Sequence, residues 1–173
     1  MPEALLLDKT LKAKEKTLAL SGLLLQKKLS PDELTDYAAK AKDPIKATCI
    51  EALEYATTKD PALLTQKAFR FVCRELGAKA PRVKWESARV IANTAHLFPS
   101  ELGEAVKGLL INSEDDGTVV RWSAAQGLCA IFQVDSSYKK KLRGVIEAII
   151  SREEQNSIRK IYQATLKKED RKK

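Results

Sequence analysis

Apolar residues recur along this chain at intervals of three and four. Leu64, Ala68, Phe71, Val72 and Leu76 form one such series, and Tyr138, Leu142, Val145, Ile146 and Ile149 form another. That spacing places each set along one side of an α-helix, whereas a strand would alternate with period two, and no such alternation is sustained anywhere. The pattern predicts helices near 5–27, 31–41, 44–58, 61–76, 81–98, 100–112, 118–133, 137–150 and 153–168.

Start signals support these boundaries. Proline is tolerated at the first helical position, and a short polar side chain just before it accepts from free amide groups. Ser30-Pro31-Asp32-Glu33 has the form of a capping box. Asp43-Pro44 and Asp60-Pro61 repeat the signal, Ala80-Pro81 gives a weaker version, Pro99-Ser100 marks another start, and Gly77 suits a helix end. The connections are a few residues long, so consecutive helices must turn back antiparallel. The first helix, with Leu11, Leu18, Gly22 and Leu25, is expected to cap the helix pairs after it.

Laying the second helix of each pair over the next reveals a repeat. Ile45-Lys46, Val83-Lys84, Val120-Arg121 and Ile158-Arg159 each open a segment with a branched apolar residue and a base, and Leu53, Ile91, Leu128 and Leu166 follow eight positions after the first. Their spacings are 38, 37 and 38 residues. Cys49, Ser87 and Ala124 hold the fifth position in three copies, small enough for close helix approach, and Tyr162 takes it in the last.

This pattern resembles the HEAT repeat family. Its second helix commonly opens with Asp-Pro, then valine and arginine, then an alanine-rich run. Asp43-Pro44-Ile45-Lys46 is similar to that opening, and Val120-Arg121 with Ala124, Ala125 and Leu128 to the body. The resemblance covers about residues 31–168. It implies an all-α, right-handed α-solenoid of about four HEAT-like antiparallel helix pairs plus an N-terminal helix. Residues 1–168 then form a single domain, with residues 1–29 as cap, 30–58, 60–98, 99–134 and 135–168 as repeats, and 169–173 as a basic tail.

In a solenoid, equivalent positions line up in rows. Lys46, Lys84, Arg121 and Arg159 form one row, which either pairs with acids in adjoining turns or meets an extended acidic ligand. Trp85 and Trp122, the chain's two tryptophans, occupy the same position in adjacent repeats. Ala88, Ala92 and His96 follow the first at intervals of three, seven and eleven, and Ala125, Cys129 and Gln133 follow the second, so that face is expected to be lined with small or polar groups. Packing against the neighbouring repeat is one use for the indoles, and gripping a peptide side chain or a base is another. The alkylpurine DNA glycosylases are also built from HEAT-like pairs, and Trp85, Trp122 and Arg121 are similar in type to residues of their DNA-cradling face. The catalytic carboxylate has no counterpart: Arg89 and Gln126 stand one turn after the tryptophans.

Charge adds one asymmetry. Of the net +8, residues 119–173 supply +7, with 13 Lys and Arg against 6 Asp and Glu. The runs Lys139-Lys140-Lys141 with Arg143, and Lys167-Lys168 with Arg171-Lys172-Lys173, read as a solvated helix face and a frayed end, with general attraction to nucleic acid as the alternative. Cys49, Cys73 and Cys129 are odd in number and far apart, which argues against a disulfide framework or a zinc site and for a reducing, cytoplasmic setting. No signal peptide or membrane span is expected, and no cofactor, metal or small-molecule substrate is evident. His96 is the only histidine, and Asp115-Asp116-Gly117 reads as a turn before a helix. The expectation is a noncatalytic scaffold binding a protein through its second-helix surface, with nucleic acid as the alternative partner through the basic row and the C-terminal third.

Overall fold

The computed structural model describes residues 2–173, and their regular structure is entirely helical. The helices are α1 (Pro2–Leu7), α2 (Ala13–Leu25), α3 (Pro31–Lys40), α4 (Asp43–Lys59), α5 (Gln66–Glu75), α6 (Pro81–Thr94), α7 (Gly103–Asn112), α8 (Thr118–Phe132), α9 (Ser136–Arg152) and α10 (Asn156–Asp170). Single 3-10 turns lie at Pro61–Leu63, Ala95–Leu97 and Pro99–Glu101.

Several boundaries differ from those the pattern predicts, each for a local reason. The N-terminal segment forms two helices, because the Asp8 carboxylate accepts from the backbone N–H and hydroxyl of Thr10 (2.8 and 2.6 Å) and stops α1. Asp60 accepts from the Ala62 N–H, which sustains only a 3-10 turn after Pro61. The Thr65 hydroxyl then accepts from the Ala68 N–H at 3.1 Å and starts α5. The capping box at Ser30 forms as predicted: Ser30 Oγ accepts from the Glu33 N–H, and the Glu33 carboxylate accepts from the Ser30 N–H. Asp43 lies in the first turn of α4 and does not cap it.

The even-numbered helices α2, α4, α6, α8 and α10 stack side by side in one row, while α3, α5 and α7 form a second, looser row. The even row makes much the closer contacts, the arrangement that curves a repeat stack toward its tighter row. One continuous apolar core runs between the rows. Cys49, Ser87, Ala124 and Tyr162, the fifth positions of the four repeat segments, are all fully buried in it. Burial also pushes the three thiols up, Cys49 and Cys73 to about 12 and Cys129 to about 11, which keeps them protonated and unreactive.

Two glycines set helix separations. An added Cβ at Gly127 would lie 2.9 Å from both methyl carbons of Leu109, and one at Gly108 would lie 2.8 Å from Cδ1 of Leu76. Gly144 in α9 has open space instead. Alanine in a helix gains about 1 kcal/mol over glycine, and overpacking a core costs about 1–3 kcal/mol. Gly144→Ala should therefore raise the urea midpoint and Gly127→Ala lower it, although both make the same chemical change.

Candidate functional site

The basic row predicted from the repeat forms, and it is a ladder of ion pairs. Lys46 reaches Glu75 at 3.3 Å, Lys84 reaches Asp115 at 2.9 Å, and Arg121 reaches Glu153 at 3.1 Å. Each of these three bases thus meets an acid 29, 31 or 32 residues later, at or just past the end of the next odd helix. Arg121 also donates to the carbonyls of Asp115 and Asp116. Burial alone would raise the carboxyls of Asp115 and Glu153. Hydrogen bonds from Lys84 and the Gly117 N–H to the first, and from Arg121 and the Gln155 N–H to the second, hold both below the ordinary value. Arg159, the last member of the row, has no ion-pair partner among the described residues.

The free side of the even row carries different residues. Trp85, Arg89, Asn93 and His96 follow one another at intervals of four, four and three along α6 and the turn after it, and none is fully buried. Trp122, Gln126, Ala130 and Gln133 repeat that stripe on α8. Here the sequence expectation needs correcting in part: Ala88 and Ala125, three positions after each tryptophan, and Cys129, seven after Trp122, turn toward the packed interior and are buried, whereas Ala92 is half-buried.

Beside the tryptophans lies a cluster of charges that the repeat pattern does not reveal. Arg82 meets Glu51 at 2.5 Å, and Arg89 meets Glu54 at 3.0 Å. The Trp85 indole N–H donates to Glu86 Oε1 at 2.9 Å. Arg89 lies 4.0 Å from Glu86 Oε2 and places its guanidinium carbon 5.8 Å from the centre of the Trp122 ring. Asn93 donates to the Glu54 carbonyl and to the hydroxyls of Thr57 and Thr58. Glu86 is only 4% exposed, and its Oε2 has no hydrogen-bond partner. Burial raises its carboxyl to about 7, the indole bond opposing, with Glu51 and Glu54 adding to the rise and Arg89 working against it. The one sequence clue is positional: Thr48 and Ser123 hold the equivalent place in neighbouring repeats, so a carboxylate there is the odd member.

Elsewhere, a cleft of about 410 Å³ lies between the α7–α8 and α9–α10 connections. Its main charges are satisfied internally, Arg152 donating to Ser113 and Arg121 to Glu153. In the Asp115-Asp116-Gly117 turn, Asp115 accepts from the Gly117 N–H, and no group of three metal-ligating side chains occurs among the described residues. His96 is exposed on a 3-10 turn. The C-terminal basic runs are partly neutralised, since Lys139 meets Glu169 and Arg143 meets Asp170 within or beside a helix that continues to Asp170. No described helix is long and apolar enough to cross a membrane.

These features define an armadillo-like all-α solenoid. No protein-family model matches the chain, and no curated protein matches it. Solved structures do. A designed armadillo repeat protein in complex with the peptide (KR)4 aligns with a TM-score of 0.71 at 17% identity, over 89% of this chain and 74% of its own. A computationally designed armadillo repeat protein for modular peptide recognition aligns with a TM-score of 0.74 at 16% identity, over 95% and 79%. A third designed armadillo protein gives 0.70 at 16% identity, over 89% and 74%. At such identities the likeness establishes the fold.

Proposed function

We propose that this chain is a noncatalytic scaffold that holds an extended segment of a protein partner along the concave face of its even helices. The observation that carries this reading is the pair of half-buried tryptophans, Trp85 and Trp122, one repeat apart on a free face edged by Arg89, Asn93 and Gln126. Neighbouring helices sit about 8–10 Å apart and an extended chain advances about 3.3 Å per residue, so ligand residues two or three apart meet successive indoles. Fixed polar side chains beside them suit the amide groups of such a segment. The peptide-bound designed armadillo protein gives the reading a structural precedent.

In this reading Lys46, Lys84 and Arg121 frame the face, already paired, and Arg159 is the base open to a ligand. Residues 1–168 act as one repeat domain, with residues 1–29 as its cap and four repeats after it. The Asp43-Pro44-Ile45-Lys46 opening favours the HEAT branch of the armadillo-like class, and three free thiols favour a reducing cytoplasmic setting. A protein partner is favoured over nucleic acid because the bases of the row are neutralised by their own repeats.

Fluorescent peptides of basic, acidic and neutral composition, titrated beside duplex DNA, single-stranded DNA and RNA at two salt concentrations, test this. Peptide binding should weaken about tenfold to a hundredfold in Trp122→Ala, as expected for an aromatic anchor, and depend modestly on salt. Binding to nucleic acid alone, falling steeply with salt and abolished by Arg121→Glu, would replace the peptide reading.

A further inference from the structure

Arg89 sits where a ligand's cation would sit. Its guanidinium lies 3.0 Å from Glu54 and 4.0 Å from Glu86, with the Trp122 ring at 5.8 Å. Its side chain is 34% exposed, whereas those of Glu54 and Glu86 beneath it are 8% and 5% exposed. Two buried carboxylates and an aromatic face are the elements that recognise a planar, weakly hydrated cation, and guanidinium fits them better than a compact ammonium. The partners also do not balance: three acids, Glu51, Glu54 and Glu86, face two guanidiniums, Arg82 and Arg89, and Glu86 Oε2 lacks a hydrogen-bond donor. A structural salt bridge needs only one acid for Arg89, so the second, nine-tenths buried, 4.0 Å from the guanidinium and with no hydrogen bond to its Oε2, marks a site with capacity left over.

We propose that Glu54, Glu86 and Trp122 form a guanidinium-binding seat that Arg89 occupies in the free protein, so that an arginine side chain of a peptide partner enters by displacing Arg89. This rests on the peptide-binding reading and gives its ligand a chemistry. Arg89 is then an internal competitor. It shields two carboxylates from water in the absence of a partner and sets a threshold that weakly held cations do not pass. Once displaced, it remains on the exposed stripe between Trp85 and Asn93, available to ligand carbonyls.

The test removes the occupant and offers a replacement. Arg89→Ala should lose thermal stability and regain part of it in millimolar methylguanidinium chloride but not in sodium chloride of equal ionic strength, while the wild-type chain responds to neither. The same variant should bind a fluorescent (Gly-Arg)4 peptide about tenfold more tightly than wild type, the gain expected when a competitor filling some nine-tenths of the sites is removed. A (Gly-Lys)4 peptide should gain less. Adding Glu86→Gln should cancel the gain, and Lys160→Ala, which removes one exposed base from the same row of helices, should leave affinity unchanged. If Arg89→Ala does not fold, Arg89→Gln takes its place in both measurements. A folded variant without methylguanidinium-specific recovery overturns the seat, even if peptides still bind wild type through the tryptophans. Recovery without peptide affinity in either protein overturns the peptide reading and, with it, displacement by a partner.

Discussion

Glu86→Gln should stabilise the protein at pH 8 and change its stability little at pH 5. In the unfolded chain this carboxyl ionises near 4.5, but in the fold burial lifts it to about 7. Between those values the folded protein holds a proton that the unfolded chain has released, so raising the pH through this window favours unfolding. Above pH 7 the fold carries the whole cost of a buried charge whose Oε2 has no hydrogen bond. At about 1.4 kcal/mol for each pH unit separating the two values, that cost is about 3 kcal/mol. Glutamine keeps an oxygen for the Trp85 indole and carries no charge, so it avoids the cost above pH 7. Urea unfolding of both proteins at pH 5 and pH 8 measures this, and parallel pH profiles for the two would show that Glu86 does not titrate as described.

Arg121→Ala should cost about 2–4 kcal/mol, because it strands a carboxylate that the fold has already taken out of water. Glu153 is 4% exposed in its side chain and Arg121 18%, and the same guanidinium satisfies two carbonyls of the α7–α8 connection. Lys67→Ala breaks a pair at a similar distance, with Asp36, but both side chains are more than half exposed, and such pairs contribute about 0–1 kcal/mol. The contrast between the two variants separates an interior rung from a surface pair. It should also depend on acid. Glu153 is held below its ordinary value, so the contribution of the pair is present above about pH 4.5 and fades as pH falls through the folded value. The stability deficit of Arg121→Ala should therefore shrink in acid, and a deficit that is constant from pH 7 to pH 3 would mean that packing of the arginine stem, not its charge, is what was lost.

The two effects show where the sequence is informative and where it is not. Helix positions, the register of the bases at Lys46, Lys84, Arg121 and Arg159, and the tight row through Cys49, Ser87 and Ala124 follow from periodicity, since each depends on spacing within or between equivalent helices. The acids of the ladder do not. Glu75 ends a helix, whereas Asp115 and Glu153 lie in connections, so no constant interval links them to their partners. The break after Leu7 and the delayed start of α5 depend on Asp8 and Thr65 binding nearby backbone, a competition that apolar spacing does not register. Alignment of the repeats finds the tryptophans but not the residues around them, because whether the exposed stripe advances by three or by four depends on how neighbouring helices lean. Glu86 is hidden for a further reason: a glutamate on a helix ordinarily faces water, and only the placement of α4 against α6 turns this one inward.

The ladder also fixes how the molecule yields to tension. Among the described residues, the side-chain hydrogen bonds that join one repeat to the next span no more than 39 residues, so each fastening closes within one neighbour. Pulled from its two ends, such a chain has no clasp from first repeat to last to hold it shut. It would open one repeat at a time from a terminus, each step freeing 37 or 38 residues, or about 130 Å of extended chain at roughly 3.5 Å per residue, while the repeats beyond the opening front keep their rungs and their grip on whatever lies along them.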